Sequence, residues 1–326
     1  MARADLLISL VKAATVGDQP MVRKTVEAMA AEERAKRHTV LADQLEKQIH
    51  RNGLAPKAEY VPARTTAHDV VHELTPRLTL GDLILDSSVR APIEELIQEH
   101  FRADLLRSYN LQPRNRVLLT GMPGNGKTSL AEALATTLMV PFVVARYDGL
   151  ITSYLGETAS RLHKLFEFAH TRNCVLFFDE FDTLGKERGD IHETGEIKRV
   201  VSSLLLQIDD LPAHVVVVCA TNHPELLDRA VWRRFQLKLE LEPPRKPQIE
   251  EYFGLCAKRL NFSFGFTPRV LAERLVGASY SDLEGFTSDI ARGYVLALPA
   301  ADAKAITSNK LQQWKARYSV KKKAKK

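Results

Sequence analysis

The chain has 326 residues, 45% hydrophobic and 26% charged, a balance that excludes disorder throughout and suits two or three folding units. Its formal charge is +6, but seven Lys and Arg from Lys315 onward meet no acids there, which leaves −1 for the rest of the chain. The basicity therefore belongs to a tail, read as a solvated end, and nucleic acid is not an expected partner.

Cys174, Cys219 and Cys256 lie in apolar or helical runs without paired or metal-like spacing, so buried, reduced thiols and a cytoplasmic location are expected. The apolar stretch at 6–11 is bounded by Asp5 and Lys12, too short for a signal peptide or a membrane span, and no other stretch reads as a transmembrane helix.

In chain order, residues 1–52 read as three helices. Leu6, Leu7, Leu10 and Val11, then Val22, Val26, Met29 and Ala30, then Leu41, Leu45 and Ile49 recur at helical spacing, with Asn52 and Gly53 as the stop. A module of this size buries a small core and is expected to dock on a partner or on its own chain. Pro, Ala and Thr break the pattern over 53–75, a linker. Residues 76–242 alternate apolar β-rich runs (116–120, 142–145, 175–178 and 215–220) with helical stretches, the pattern of an α/β fold with a buried parallel sheet covered by helices on both faces. From Pro243 helices dominate to residue 318, a helical lid, and 319–326 form the basic tail.

The first of those strands runs into Gly121, Met122, Pro123, Gly124, Asn125, Gly126, Lys127, Thr128, with a helical sequence from Ser129. This is the phosphate-binding loop GxxxxGK[ST] in its proper context. Glycines let backbone N–H groups and a helix N-terminus face phosphates, Lys127 reaches the outer phosphate oxygens, and Thr128 can ligate Mg2+. The strand at 175–178 ends in Asp179 and Glu180, the first suited to the metal and the second to orienting an attacking water. A third strand ends in Thr221 and Asn222, which puts Asn222 beside the same γ-phosphate.

With these strands in order, residues 76–294 resemble the AAA clade of AAA+ ATPases. The resemblance implies ATP and Mg2+ as ligands and a segment Leu80, Gly81, Asp82, Leu83 against the adenine. It also implies a sensor region over 221–228 and, in the run 227–235, paired arginines Arg233 and Arg234 that act on the nucleotide of a neighbouring subunit. Their Arg-Arg-Phe form is similar to the meiotic group of the clade. Ser279, Tyr280, Ser281, Asp282 and Leu283 resemble the clade's Ser-Gly-Ala-Asp-Leu, so an arginine of the lid's third helix acting in cis is not expected. Asn125 replaces the usual Thr at a loop-tip position, where little effect is expected.

Tyr154, Leu155 and Gly156 match the clade's pore loop, which grips extended polypeptide; the alternative is that Tyr154 packs beneath its own helix. Residues 185–196 resemble a second pore loop or form a solvated connection. These features imply a homo-oligomeric, hexameric ring that remodels, unfolds or translocates a protein substrate engaged through the N-terminal module and the pore. The alternative is an ATP-driven assembly switch or a regulatory partner of a separate effector, without threading. The whole chain is also similar to stand-alone bacterial AAA ATPases that act with a separately encoded subtilisin-like serine protease.

Overall fold

Five consecutive apolar residues on a strand can be buried only if both faces of its sheet are covered, and Cys174–Phe178 meets that condition. The computed structural model describes residues 19–36, 38–40, 42–43, 71–145, 155–184, 193–260 and 262–324. Its six-stranded sheet is built from β1 (Val71–Leu74), β2 (Arg116–Thr120), β3 (Phe142–Ala145), β4 (Cys174–Phe178), β5 (Val215–Thr221) and β6 (Leu237–Glu240), in the order β1-β3-β4-β5-β2-β6. All pairs are parallel except β1 with β3.

Alternation along the strands divides the core between two faces. Leu176 and Phe178 of β4 and Val217 and Cys219 of β5 face α5 (Leu155–His170) and α6 (Glu193–Asp210), through Leu162, Leu165, Leu204 and Ile208. Val175 and Phe177, with Val216 and Val218, face α2 (Ser87–Phe101) and α4 (Lys127–Leu138), through Ile93, Leu96, Leu130 and Leu134. Cys174 and Cys219 are free and buried, and burial pushes the Cys174 thiol up to about 12.

The C-terminal helices α8 (Lys246–Leu260), α9 (Pro268–Arg274), α10 (Tyr280–Leu296) and α11 (Ala303–Ala324) form a second core. Phe253 lies at its centre, edge-on to Phe264 at 5.4 Å and to Phe286 at 6.2 Å. Two local signals set the helix starts. Thr267 caps α9 ahead of Pro268, and Ser279 and Asp282 form a reciprocal capping box on α10.

Three boundaries differ from the sequence reading. The last part of the stretch read as linker, Val71–Leu74, is an edge strand whose Val71 is buried. Leu237–Glu240, not read as a strand, pairs with β2 and buries Leu237 and Leu239 while Lys238 and Glu240 face outward. The basic end is helical through Ala324, because α11 continues past the residues, Leu311 and Trp314, that pack it on the lid. Of the three helices expected over 1–52, the second is described as α1 (Gln19–Ala35); the stretch read as the first lies outside the described residues, as does most of the third, of which residues 38–40 and 42–43 are described. No helix among the described residues is long and apolar enough to cross a membrane.

Candidate active site

The parallel strands β2, β4 and β5 deliver three loops to one end of the sheet, where an α/β fold leaves a crevice for a ligand. After β2 the chain must turn sharply, and two glycines are required for different reasons. Gly121 has φ +131°, and a Cβ there would stand 2.3 Å from the carbonyl oxygen of Leu241. Gly124 has φ +80°, and its Cβ would meet Ser279 Oγ at 2.9 Å; the carbonyl of Gly124 accepts the Ser281 N–H at 2.9 Å. Thus the loop is pressed between the end of β6 and the N-terminus of α10. Gly126 stands at the N-cap of α4 with φ +88°, and Pro123, Thr128 and Ser129 line the same cavity.

Asn125 corrects the loop-tip reading. Its side chain is buried and Nδ2 donates to Leu241 O at 3.2 Å, so it fastens the loop to the residue after β6. Lys127 is also buried. Its ammonium donates to Gly121 O at 2.7 Å, to Met122 O at 3.1 Å and to Asn222 Oδ1 at 2.6 Å. Burial holds this ammonium below the ordinary lysine range, against the pull of Asp179 and Asp182.

At the end of β4, Thr128 Oγ1 stands 3.3 Å from Asp179 Oδ2. Two hard oxygen donors from different elements suit a cation that keeps several waters and takes its other ligands from phosphates. Among the described residues no group of three or more His, Cys, Asp or Glu forms a metal cage, and such a cation does not need one. Glu180 is exposed at the cavity with φ +45°, a conformation uncommon outside glycine, and its N–H donates to Asp179 Oδ1 at 2.9 Å.

Asp182 was not singled out in the sequence. It is 2% exposed and accepts from Thr221 Oγ1 at 2.8 Å, while Thr221 Oγ1 accepts the His223 N–H at 2.9 Å. The segment after β4 is thereby bonded to the turn that carries Asn222. The signal was weak, because a carboxylate two residues beyond Glu180 reads as one more loop acid.

The opposite wall closes a cavity of about 460 Å³. Asp82, Leu83, Ile84 and Leu85 form one side, and the Asp82 carboxylate accepts from Thr79 N at 2.9 Å and Thr79 Oγ1 at 2.7 Å. The lid supplies Tyr252, Arg259, Tyr280 and Glu284, and Tyr280 Oη donates to Ile84 O at 3.0 Å. Tyr252 and Arg259 are seven residues apart and share a face of α8, but only the folded lid shows which face meets the cavity.

The structure separates the two paired arginines, which follow β5 on α7 (Arg229–Arg234). Arg234 Nε donates to Asp209 Oδ2 at 2.8 Å, and Asp209 Oδ1 accepts from Arg116 at 2.5 Å, so Arg234 is engaged within its own chain. Arg233 is exposed, and no hydrogen bond or ion pair among the described residues engages it. Phe235, 2% exposed, anchors the run by packing edge-on against Phe181 at 6.0 Å. Tyr154 lies outside the described residues; Leu155 and Gly156 open α5. Residues 185–192 also lie outside them.

Residues 117–243 match the family described as "ATPase family associated with various cellular activities (AAA)". The chain is 38% identical over 290 residues to an uncharacterized AAA family ATPase, y4kL, of Sinorhizobium fredii, an alignment that covers 87% of each. It is 34% identical over 198 residues to a putative 26S proteasome regulatory subunit homolog of Methanothermobacter thermautotrophicus, covering 59% of this chain and 52% of that protein. With the ATP-dependent zinc metalloprotease FtsH 2 of Symbiobacterium thermophilum it shares 30% identity over 237 residues, 70% of this chain and 40% of that one. The chain thus spans nearly all of the first relative and about half or less of the other two.

Proposed function

The chain belongs to the AAA family of ATPases, and we propose that it is the motor subunit of a head-to-tail hexameric ring that uses Mg-ATP hydrolysis to remodel protein substrates. The observation that carries this is that the bonded pairs Lys127–Asn222 and Thr128–Asp179 line one cavity at one end of the parallel sheet, with lid residues on its other side.

In this reading the glycine-rich loop and the first turn of α4 cradle the phosphates, and Lys127 exchanges its loop carbonyls for phosphate oxygens. Thr128 and Asp179 hold Mg2+, which when bound neutralises charge on the β and γ oxygens. Glu180 orients the attacking water from the rim, and Asn222 stands at the γ-phosphate beside Lys127. Asp82, with the segment behind it, takes the base. Arg233 reaches the pocket of the next subunit, the geometry that a head-to-tail ring provides at every junction. Arg234 sets α7 on the sheet. Tyr154, Leu155 and Gly156 line the pore, and residues 1–52 recruit the substrate. Relatives described as a putative proteasome regulatory subunit homolog and an ATP-dependent zinc metalloprotease support work done on polypeptide.

The experiment is Tyr154→Ala. A pore aromatic grips a passing chain by apolar contact without needing a particular sequence, so its loss should leave melting temperature and basal ATPase unchanged and abolish substrate stimulation. A packed aromatic would instead cost about 3 to 5 kcal/mol of stability on truncation. A destabilised variant, or remodelling that proceeds as before, would favour the switch.

A further inference from the structure

Two cations are among the residues that line the cavity, and the phosphate loop accounts for one. Lys127 is bonded at the end of β2 and β5; the other is Arg259, from the last turn of α8 in the lid. It is exposed, and no hydrogen bond or ion pair among the described residues engages it. We propose that Arg259 is a nucleotide-binding residue that engages the base and ribose end of the ligand from the lid side. This inference rests on the reading of the cavity as an ATP site.

Its place in the cavity follows from its neighbours. Tyr252, two helical turns earlier on the same face of α8, packs near Tyr280 with ring centroids 6.5 Å apart, and Tyr280 is bonded to Ile84 O. The face that carries Arg259 is thereby held against the 82–85 segment. The positive charge of Arg259 contributes to holding the Asp82 carboxyl below its usual range, after the larger effect of the Thr79 hydrogen bonds, whereas the Lys127 ammonium responds to Asp179 and Asp182. Arg259 is therefore at the Asp82 end. The Asp82 carboxylate accepts from Thr79 through Oδ2 and has no donor of its own, so the guanidinium brings donors to this end. A planar guanidinium can lie on the face of a base or donate to ribose hydroxyls. The lid would then be tied to the nucleotide by a side chain remote from the phosphates, which distinguishes Arg259 from an arginine that reads the γ-phosphate. The competing structural role is charge at the C-terminal end of α8, which Lys258 also supplies.

Competition against a fluorescent ADP analogue, with AMP, ADP and ATPγS as ligands and Mg2+ present, tests this. Arg259→Ala should weaken all three by the same factor, about tenfold, as for one lost charge-assisted contact, with Arg259→Lys between it and the parent. Lys127→Ala should weaken them by a factor that grows with phosphate number. Unchanged affinities in Arg259→Ala beside a clear Lys127→Ala loss would overturn the inference and leave the ATP reading standing. A loss in Arg259→Ala that grows with phosphate number would overturn the placement at the base end. If the parent binds none of the three, or Lys127→Ala binds them as the parent does, the ATP reading falls and the inference with it. A melting curve for each variant separates a lost contact from a weakened helix end.

Discussion

Lys127 Nζ stands 2.6 Å from Asn222 Oδ1, so the lysine of the phosphate loop and the amide at the end of β5 are bonded to one another. Both groups are held by neighbouring parallel strands in which Thr120 is the register partner of Thr221. If Asn222 acts on the γ-phosphate as proposed, Asn222→Ala should lower the rate of phosphate release by about 100-fold, the order found for one preorganised hydrogen-bond donor. Affinity for ADP, which lacks that phosphate, should stay near that of the parent. Paired release and binding measurements check both halves.

Two glycines of the loop should respond differently to a methyl group. At Gly121 the added Cβ would meet backbone, Leu241 O at 2.3 Å, and nothing flexible can move aside. Gly121→Ala should therefore displace the loop from β6 and abolish nucleotide binding. At Gly126 nothing lies within 4 Å, so the strain is that of φ +88° alone, about 1 to 2 kcal/mol. Gly126→Ala should fold with a modest loss in a denaturation curve.

The arginines of α7 separate in the same way. Arg234→Ala removes a partner of Asp209 and should lower stability by about 1 kcal/mol or less, because the pair is partly exposed and Arg116 remains. Arg233→Ala should leave the denaturation midpoint unchanged and reduce ATPase activity by about 10³-fold or more if Arg233 works in trans. Mixing Arg233→Ala with Lys127→Ala subunits should restore some hydrolysis, at junctions where an intact pocket faces an intact finger. Absence of rescue in demonstrably mixed rings would contradict a trans role.

These contrasts also mark what the sequence could carry. The loop from Gly121 to Thr128 was legible because its residues are contiguous and the flanking strand and helix have strong periodic patterns. Strands β2 to β5 were legible as apolar runs, since burial on both faces leaves no polar interruption. Val71–Leu74 and Leu237–Glu240 were not, because edge position and four-residue length leave one or two buried side chains to signal them. The role of Asn125 depends on Leu241, 116 positions away, and the division between Arg233 and Arg234 depends on Asp209, 25 positions from Arg234. Local pattern contains neither relation. The same holds for Tyr252 and Arg259, whose shared helical face acquires meaning once the lid closes the cavity.

The measurement that bears most directly on the account compares nucleotide affinity and phosphate release in Lys127→Ala and Glu180→Gln. Lys127→Ala removes the ammonium from the cradle and should lose ATP binding. Glu180 lies at the rim, and Glu180→Gln leaves the loop, Thr128 and Asp179 intact, so ATP should bind as in the parent while turnover falls by about 100-fold or more, the range for loss of a positioned base. Hydrolysis by Glu180→Gln at the parental rate would contradict the assignment of Glu180 to the attacking water and, with it, the chemistry proposed for this site.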